Sequence, residues 1–484
     1  MKKIKIYSKP IAALILFSLI LAGCDILSVY PENDLIKEKF WNKKEDADGA
    51  LAAAYDAFRN EALNSFIWGE LRADIATFSG SSFSDYRSIA ASDISPSNDK
   101  INWNGYYEAI NLANTLIYFM PEVMKKDESF TVRMKDAYEA EALFLRALSY
   151  FYLVRIWKEV PLEIEATVSD QGDLYLPKSS EKEVIQQIVA DLLRAKDLAY
   201  TDEFKSQPVY YKGRANKYSI MALLADVYLW DEQYENSVVY CDSIINTGKF
   251  GLEGYNEWFQ LYFPGNSMRE SLFEIQFDDT YEKQENPIYK DLIQLGHSPS
   301  LKIQDQSLSQ LMSDNDVRMC GNETPVWKYM GTDQLGVTER TTAQRDANFI
   351  YYRYADVLLI KAEALNETGK LIEANALVRD VASRAGITHL NASNKDDLRQ
   401  DIMDERGREF VFEGKRWFDL LRNAKRNHFE NKQIIINMIL AGADVQQKAI
   451  LRTRVYDTMS YYLPIPESEL LYNPELVQNP YYDR

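Results

Sequence analysis

The stretch Glu405–Arg422, ERGREFVFEGKRWFDLLR, is dense in acid and base. Glu405, Glu409, Glu413 and Asp419 stand among Arg406, Arg408 and Arg416. Glycoside hydrolases use two carboxylates about 5 to 10 Å apart, one as acid and one as base or nucleophile. Hydrolysis is therefore one chemistry to weigh here. The four-residue spacing of Glu405 and Glu409 argues for another role. On a helix it sets them beside the arginines as ion pairs along the helix surface. Phe410, Phe412, Trp417, Phe418 and Leu420 between them read as core. We take the segment as structural and assign no catalytic residue. Other chemistries have few candidates. The histidines are His297, His389 and His428, and beyond Cys24 the cysteines are Cys241 and Cys320. One disulfide is possible but not inferable, and no zinc-ligand spacing occurs. No cofactor is implied, although the acidic loop SDNDVR, Ser313–Arg318, leaves a structural Ca²⁺ open.

Binding chemistry has more material. The chain holds 32 Tyr, 21 Phe and 8 Trp. A sugar ring has an apolar C–H face that lies flat on an exposed aromatic ring. Neighbouring Asp, Asn and Arg then select its hydroxyls. Two segments suit this. Trp68–Asp93 is rich in Ser and carries Asp74, Phe83, Tyr86 and Arg87. The stretch 281–329 carries Tyr281, Tyr289 and Trp327. These seven are the candidate ligand-binding residues. Trp103, Tyr106 and Tyr107 lie on a helix and read as core, and Tyr255, Trp258, Phe259 and Phe263 as a seal over the strand-like ESLFEIQF, Glu270–Phe277.

Cys24 suggests a third chemistry. Lys2, Lys3 and Lys5 precede an apolar run, Ile11 to Ala22, that closes on LAGC, Leu21–Cys24. The run is shorter than the roughly 20 residues that span a bilayer, and its layout is that of a secretory signal. Leu-Ala-Gly-Cys resembles the bacterial lipobox, whose cysteine becomes the lipidated first residue. Residues 1–23 are thus expected to be a signal peptide and Cys24 a lipid anchor. One acyl chain holds weakly, at about 0.8 kcal/mol per CH₂, but several hold for good.

The elements that would position these groups are mostly helical. The chain has 484 residues, 46% hydrophobic, with a net charge of −18. That charge disfavours nucleic acid, whose phosphates need clustered Lys and Arg. Glu45–Leu63 has helical spacing with acidic residues at its start. Trp103–Met120 is similar, and Pro121 is expected to end it. Ala137–Trp157 is long and apolar. Ser180–Ala199 opens with a capping box of Ser180 and Glu183. Asn216–Phe250 and Arg353–Gly386 each read as helix, turn, helix, with small residues where two helices approach. Between Phe250 and Asn348 the helical period fades into loops and short strands. The prolines of LPIP and NPELVQNP suggest an ordered C-terminal wrap.

Five stretches, in order, resemble one family: PENDLIKEKFWNKKEDADGALAAAYDAF, EAEALFLRALSYFYLVRIWKEVPL, RYADVLLIKAEALNETG, ERGREFVFEGKRWFDLLR and LPIPESELLYNPELVQNPYY. The chain resembles the SusD/RagB nutrient-binding outer-membrane lipoproteins of the Bacteroidetes kind. The resemblance implies a mainly α fold of tetratricopeptide-like helix pairs, an α-α superhelix, with a loop-rich, partly β region forming the ligand face. It implies one domain over 24–484, with helix pairs at about 45–250 and 352–425, the insertion at about 251–348 and the tail at 463–484. It also implies a lipid-anchored, surface-facing protein of the outer membrane that captures an oligosaccharide, or a peptide, for a SusC-type TonB-dependent transporter, without enzymatic activity. A surface glycosidase and a helical-repeat scaffold for outer-membrane assembly are the competing readings. The first lacks a carboxylate pair in a strand-end cleft, and the second would need neither the aromatic insertions nor the proline-rich tail.

Overall fold

The computed structural model describes residues 40–78, 84–168, 175–201, 212–280, 284–292, 301–303, 316–318, 326–331, 337, 340–341, 343–388, 391–443 and 445–483. Cys24, Phe83, Tyr281, Cys320 and the side chain of Trp327 lie outside the described residues.

The first helix, α1 (Lys44–Asn60), begins where Asp46 accepts the backbone N–H groups of Asn42 and Lys43 at 2.9 and 2.8 Å. The N-cap N–H of Lys43 and the N–H before it are thereby satisfied at the helix start. Ala47, Leu51, Ala54 and Phe58 recur at three- and four-residue spacing and are buried. After α2 (Ala62–Phe66) and a π-helical turn (Ile67–Leu71) come β1 (Ala76–Phe78) and α3 (Ser84–Ala90). Helix α4 (Asn104–Lys126) runs through Pro121 rather than stopping there. A proline inside a helix removes one backbone bond and strains the turn before it. Here Met120 and Val123, both fully buried against Trp41 and Phe130, hold the continuation in place.

Helix α5 (Val132–Trp157) is buried without interruption from Ala137 onward. A helix covered on every side needs no polar face. Strands β2 (Val160–Pro161) and β3 (Lys178–Ser179) form a short ladder before α6 (Glu181–Leu198). The expected capping box is present, with the Glu183 N–H on the Ser180 hydroxyl and the Ser180 N–H on the Glu183 carboxylate. Helices α7 (Lys217–Trp230) and α8 (Tyr234–Ile245) meet at small residues, where the Ser237 hydroxyl donates to the Ala225 carbonyl at 2.8 Å.

The middle of the chain supplies β4 (Ser271–Ile275), α9 (Pro287–Leu292), β5 (Leu301–Ile303), α10 (Val326–Met330) and β6 (Phe349–Arg353). Strands β4 and β6 pair antiparallel and are buried along their whole length. Then follow α11 (Tyr354–Glu367), α12 (Leu371–Arg384), α13 (Lys395–Glu409), α14 (Arg416–Phe429), α15 (Gln433–Gly442), α16 (Val445–Arg454) and α17 (Glu467–Tyr472).

Packing runs as a chain of neighbours: α1 on α4, α4 on α5, α5 on α6, α6 on α7, α7 on α8, α8 on α11, and α11 on α12 and α13. This is a mainly α architecture of stacked helix pairs, as expected, with small two-stranded sheets set between them. The tail is ordered. Leu463 donates its N–H to Ile156, Trp157 its indole N–H to the Pro464 carbonyl, and Glu467 its N–H to Pro96, at 2.8 to 3.0 Å. Among the described residues no helix is long and apolar enough to cross a membrane.

Candidate functional site

The charged stretch of α13 and α14 does not lie on a surface. Glu405, Glu409 and Glu413 are buried beneath guanidinium and ammonium groups brought from far along the chain. Arg318 Nη1 reaches Glu405 and Glu409 at 2.8 Å each. Arg353 binds Glu270 at 2.5 Å, Glu409 at 2.6 Å and Glu413 at 2.9 Å, and Arg384 also pairs with Glu409. Lys328 sits 2.5 Å from Glu413, which also accepts the Tyr262 hydroxyl at 2.7 Å. Burial raises the Glu409 carboxyl, but Arg384, Arg353 and Arg318 outweigh it and hold the group well below the usual carboxylate range. Glu413 is held low in the same way by Arg353 and Lys328. A general acid must carry a proton near working pH, so these groups are built for cohesion. The expectation of surface ion pairs is thus corrected. Glu405–Arg408 and Asp419–Arg422 are local pairs, and the aromatics Phe410, Phe412, Trp417 and Phe418 are buried around the stretch. Glu363 of α11 is placed in the same way. It is buried and accepts two bonds from Arg422 at 2.9 and 2.7 Å. In the acidic loop, both Asp316 oxygens accept from Arg318, at 2.8 and 2.7 Å.

The two segments chosen for their rings meet in space. Strands β1 and β5 pair antiparallel, Ala76 opposite Ile303 and Phe78 opposite Leu301. Helix α3 packs on β1, and α9 packs on α2. Tyr86 on α3 is near the Asp291 carboxylate of α9, and burial with that charge pushes its hydroxyl up to about 12. Lys100 lies 5.2 Å from its ring centre.

Placement of the individual candidates differs from the simple expectation of exposed rings. Tyr86 is buried and Tyr289 almost wholly so, its hydroxyl 3.5 Å from the Met330 sulfur. Asp74 accepts two bonds from Arg416, at 2.7 and 2.8 Å, and so anchors β1 to α14. Arg87 is exposed. Of the expected core rings, Trp103, Tyr106, Trp258, Phe259 and Phe263 are buried, whereas Tyr255 is exposed.

Two cavities flank a glutamine pair that the sequence reading did not single out. One, of about 610 Å³, lies against α1 and is lined by Asp48, Tyr55, Asp56, Arg59 and Arg214. The other, of about 550 Å³, is lined by Lys212, Glu274, Asp278 and Asn348. Gln276 and Gln284 line both. Arg59 donates to the side-chain amide oxygen of Gln284 at 2.5 Å. A signal was available in LFEIQF. Strand side chains alternate with a period of two, so Glu274 of β4 and Gln276, just past its end, fall on the same side in an extended chain.

Comparison with known proteins agrees with this architecture. The profile described as the SusD family matches residues 252–482, and one described as starch-binding associating with outer membrane matches residues 27–229. SusD-like protein P38 of Formosa agariphila is 29% identical, over 88% of this chain and 93% of its own length. SusD-like protein P2 of the same organism is 27% identical over 99% of both. A SusD superfamily crystal structure from Bacteroides thetaiotaomicron superposes with a TM-score of 0.74 at 22% identity, over 92% of this chain and 99% of its own. A structure described as a laminarin-binding SusD-like protein gives 0.70 at 22% identity, over 91% and 100%. The chain belongs to the SusD/RagB family.

Proposed function

We propose that this protein is a surface lipoprotein of the outer membrane that binds a glycan and passes it, unchanged, to a SusC-type TonB-dependent transporter. The observation that carries the reading is the ladder between β1 and β5. It joins the two segments chosen for sugar-binding chemistry into one face, with Arg87 and Asp291 at its surface. An exposed guanidinium and a carboxylate are the groups that select sugar hydroxyls. Family membership supports binding as the activity, and the laminarin-binding neighbour supports a glycan as the ligand. The lipobox at Cys24 supports the anchor. With Tyr86 and Tyr289 buried, we assign the stacking role to Phe83, Tyr281 and Trp327, and polar contacts to Arg87.

Affinity electrophoresis of the lipid-free chain in gels containing plant, microbial and host polysaccharides tests this. Retardation by at least one neutral glycan is expected, and Trp327→Ala should weaken it by about 2 kcal/mol as a lost anchor would. Binding to a peptide panel alone would overturn the glycan assignment.

A further inference from the structure

Two buried oxygens without a donor belong to residues that line the cavity of about 550 Å³, Glu274 of β4 and Asn348 just before β6. Glu274 and Asn348 are each 1% exposed. Glu274 Oε1 takes both available donors, Asn348 Nδ2 at 2.9 Å and Gln276 Nε2 at 3.0 Å. Its other oxygen, Oε2, finds no partner among the described residues. The same Asn348 bond fixes which way its amide faces and leaves Oδ1 without a donor. Buried acceptors in folded proteins are almost always satisfied, because an unpaired one forfeits its hydration for nothing. Both residues line the cavity of about 550 Å³. This space is far above the roughly 30 Å³ share of one water and within the range of small-molecule pockets, about 300 to 1,000 Å³.

The lining narrows the chemistry of the occupant. Lys212 is buried beside the same cavity, its ammonium donating to the Ser271 carbonyl. Burial lowers it to about 8, with Glu274 opposing, so it remains cationic at neutral pH. A divalent cation would face that charge, and among the described residues no cluster of His, Cys, Asp and Glu is placed to hold a metal. An anion would face Glu274 and Asp278. A neutral hydroxyl donates to the unpaired oxygens and accepts from an ammonium. Gln276 and Gln284, shared with the cavity of about 610 Å³ along α1, add amide donors and acceptors and link the two spaces.

We infer that the paired cavities form a second sugar subsite, apart from the β1–β5 face, in which Glu274 and Asn348 accept hydrogen bonds from hydroxyls of a neutral glycan. The inference rests on the glycan-binding reading but on different residues. Calorimetric titration of the lipid-free chain with laminarihexaose, maltohexaose and xylohexaose tests it. Glu274→Gln keeps the shape and turns the orphan acceptor into a donor. The bound hexasaccharide should weaken by about 10-fold in this variant, as expected for one lost hydrogen bond to a charged group. Gln284→Ala at the shared wall should weaken it by about 3-fold and decides the matter if Glu274→Gln does not fold. Unchanged affinity in the folded variants, with loss in Arg87→Ala, would overturn the subsite and leave the proposed function standing. Failure of the unmodified chain to bind any glycan would overturn both. CaCl₂ that raises the melting temperature of the unmodified chain but not of Glu274→Gln would identify a cation site and overturn the inference.

Discussion

Arg353 illustrates how this molecule uses charge. It is buried at the end of β6 and touches Glu270, Glu409 and Glu413 together. Breaking a buried pair from one side leaves an uncompensated charge, at a cost of about 3 to 5 kcal/mol. Arg353→Met should lose at least that much in urea unfolding, and an unchanged midpoint would refute the cohesive role. Glu61 is a second test at this scale. Burial, helped by Glu108 and opposed by Asn64, raises its carboxyl to about 7. In the unfolded chain it ionises near its ordinary value, so the folded state alone keeps the proton between about 4.5 and 7. Stability from this group is complete below that window and falls as pH rises through it, by up to about 3 kcal/mol. Glu61→Gln should flatten the fall, and equal slopes for both proteins would contradict the assignment. Burial at single positions was the least legible feature of the sequence. Helical spacing marked Glu409 as a surface charge, yet its counter-ions come from β6 and α12, partners that no local pattern reveals. Tyr86 and Tyr289 were open to the same error, since a ring's exposure depends on which helix later covers it.

Elements were read with more success because their signals are local. The capping box of α6, the small-residue contact of α7 with α8, and the core rings of α4 follow from spacing and side-chain type. Pro121 misled because local propensity was overridden by the burial of its neighbours. The π-helical turn after α2 was missed, yet it holds a sharp constraint. A Cβ on Gly69 would lie 1.7 Å from the Gly414 carbonyl oxygen, backbone against backbone. Gly414 has a φ of +69°, so it cannot easily shift to another residue's geometry. Glu70, the next residue, accepts the Phe412 and Gly414 N–H groups at 3.0 Å each, binding the turn to the loop before α14. Gly69→Ala should therefore cost about 3 kcal/mol or more, at the upper end of overpacking effects. A melting temperature equal to that of the unmodified chain would show that the two segments are not clamped together.

Across the whole molecule, a chain of helix pairs carries loops and short strands that bring distant segments into contact. The order of the motifs made the architecture and the family legible. The two regions proposed as the ligand face were legible, and β1 pairs with β5 between them. The glutamine-walled cavities were not, because they arise from α1, β4 and the chain before α7, which meet only after folding. The net charge of −18 disfavours a polyanion as partner. The most direct test of this account is to titrate the lipid-free chain with its retained glycan by calorimetry and to analyse the recovered glycan by chromatography. The account predicts saturable binding and a glycan of unaltered length after prolonged incubation. Shortened chains or new reducing ends generated by the pure protein would contradict it.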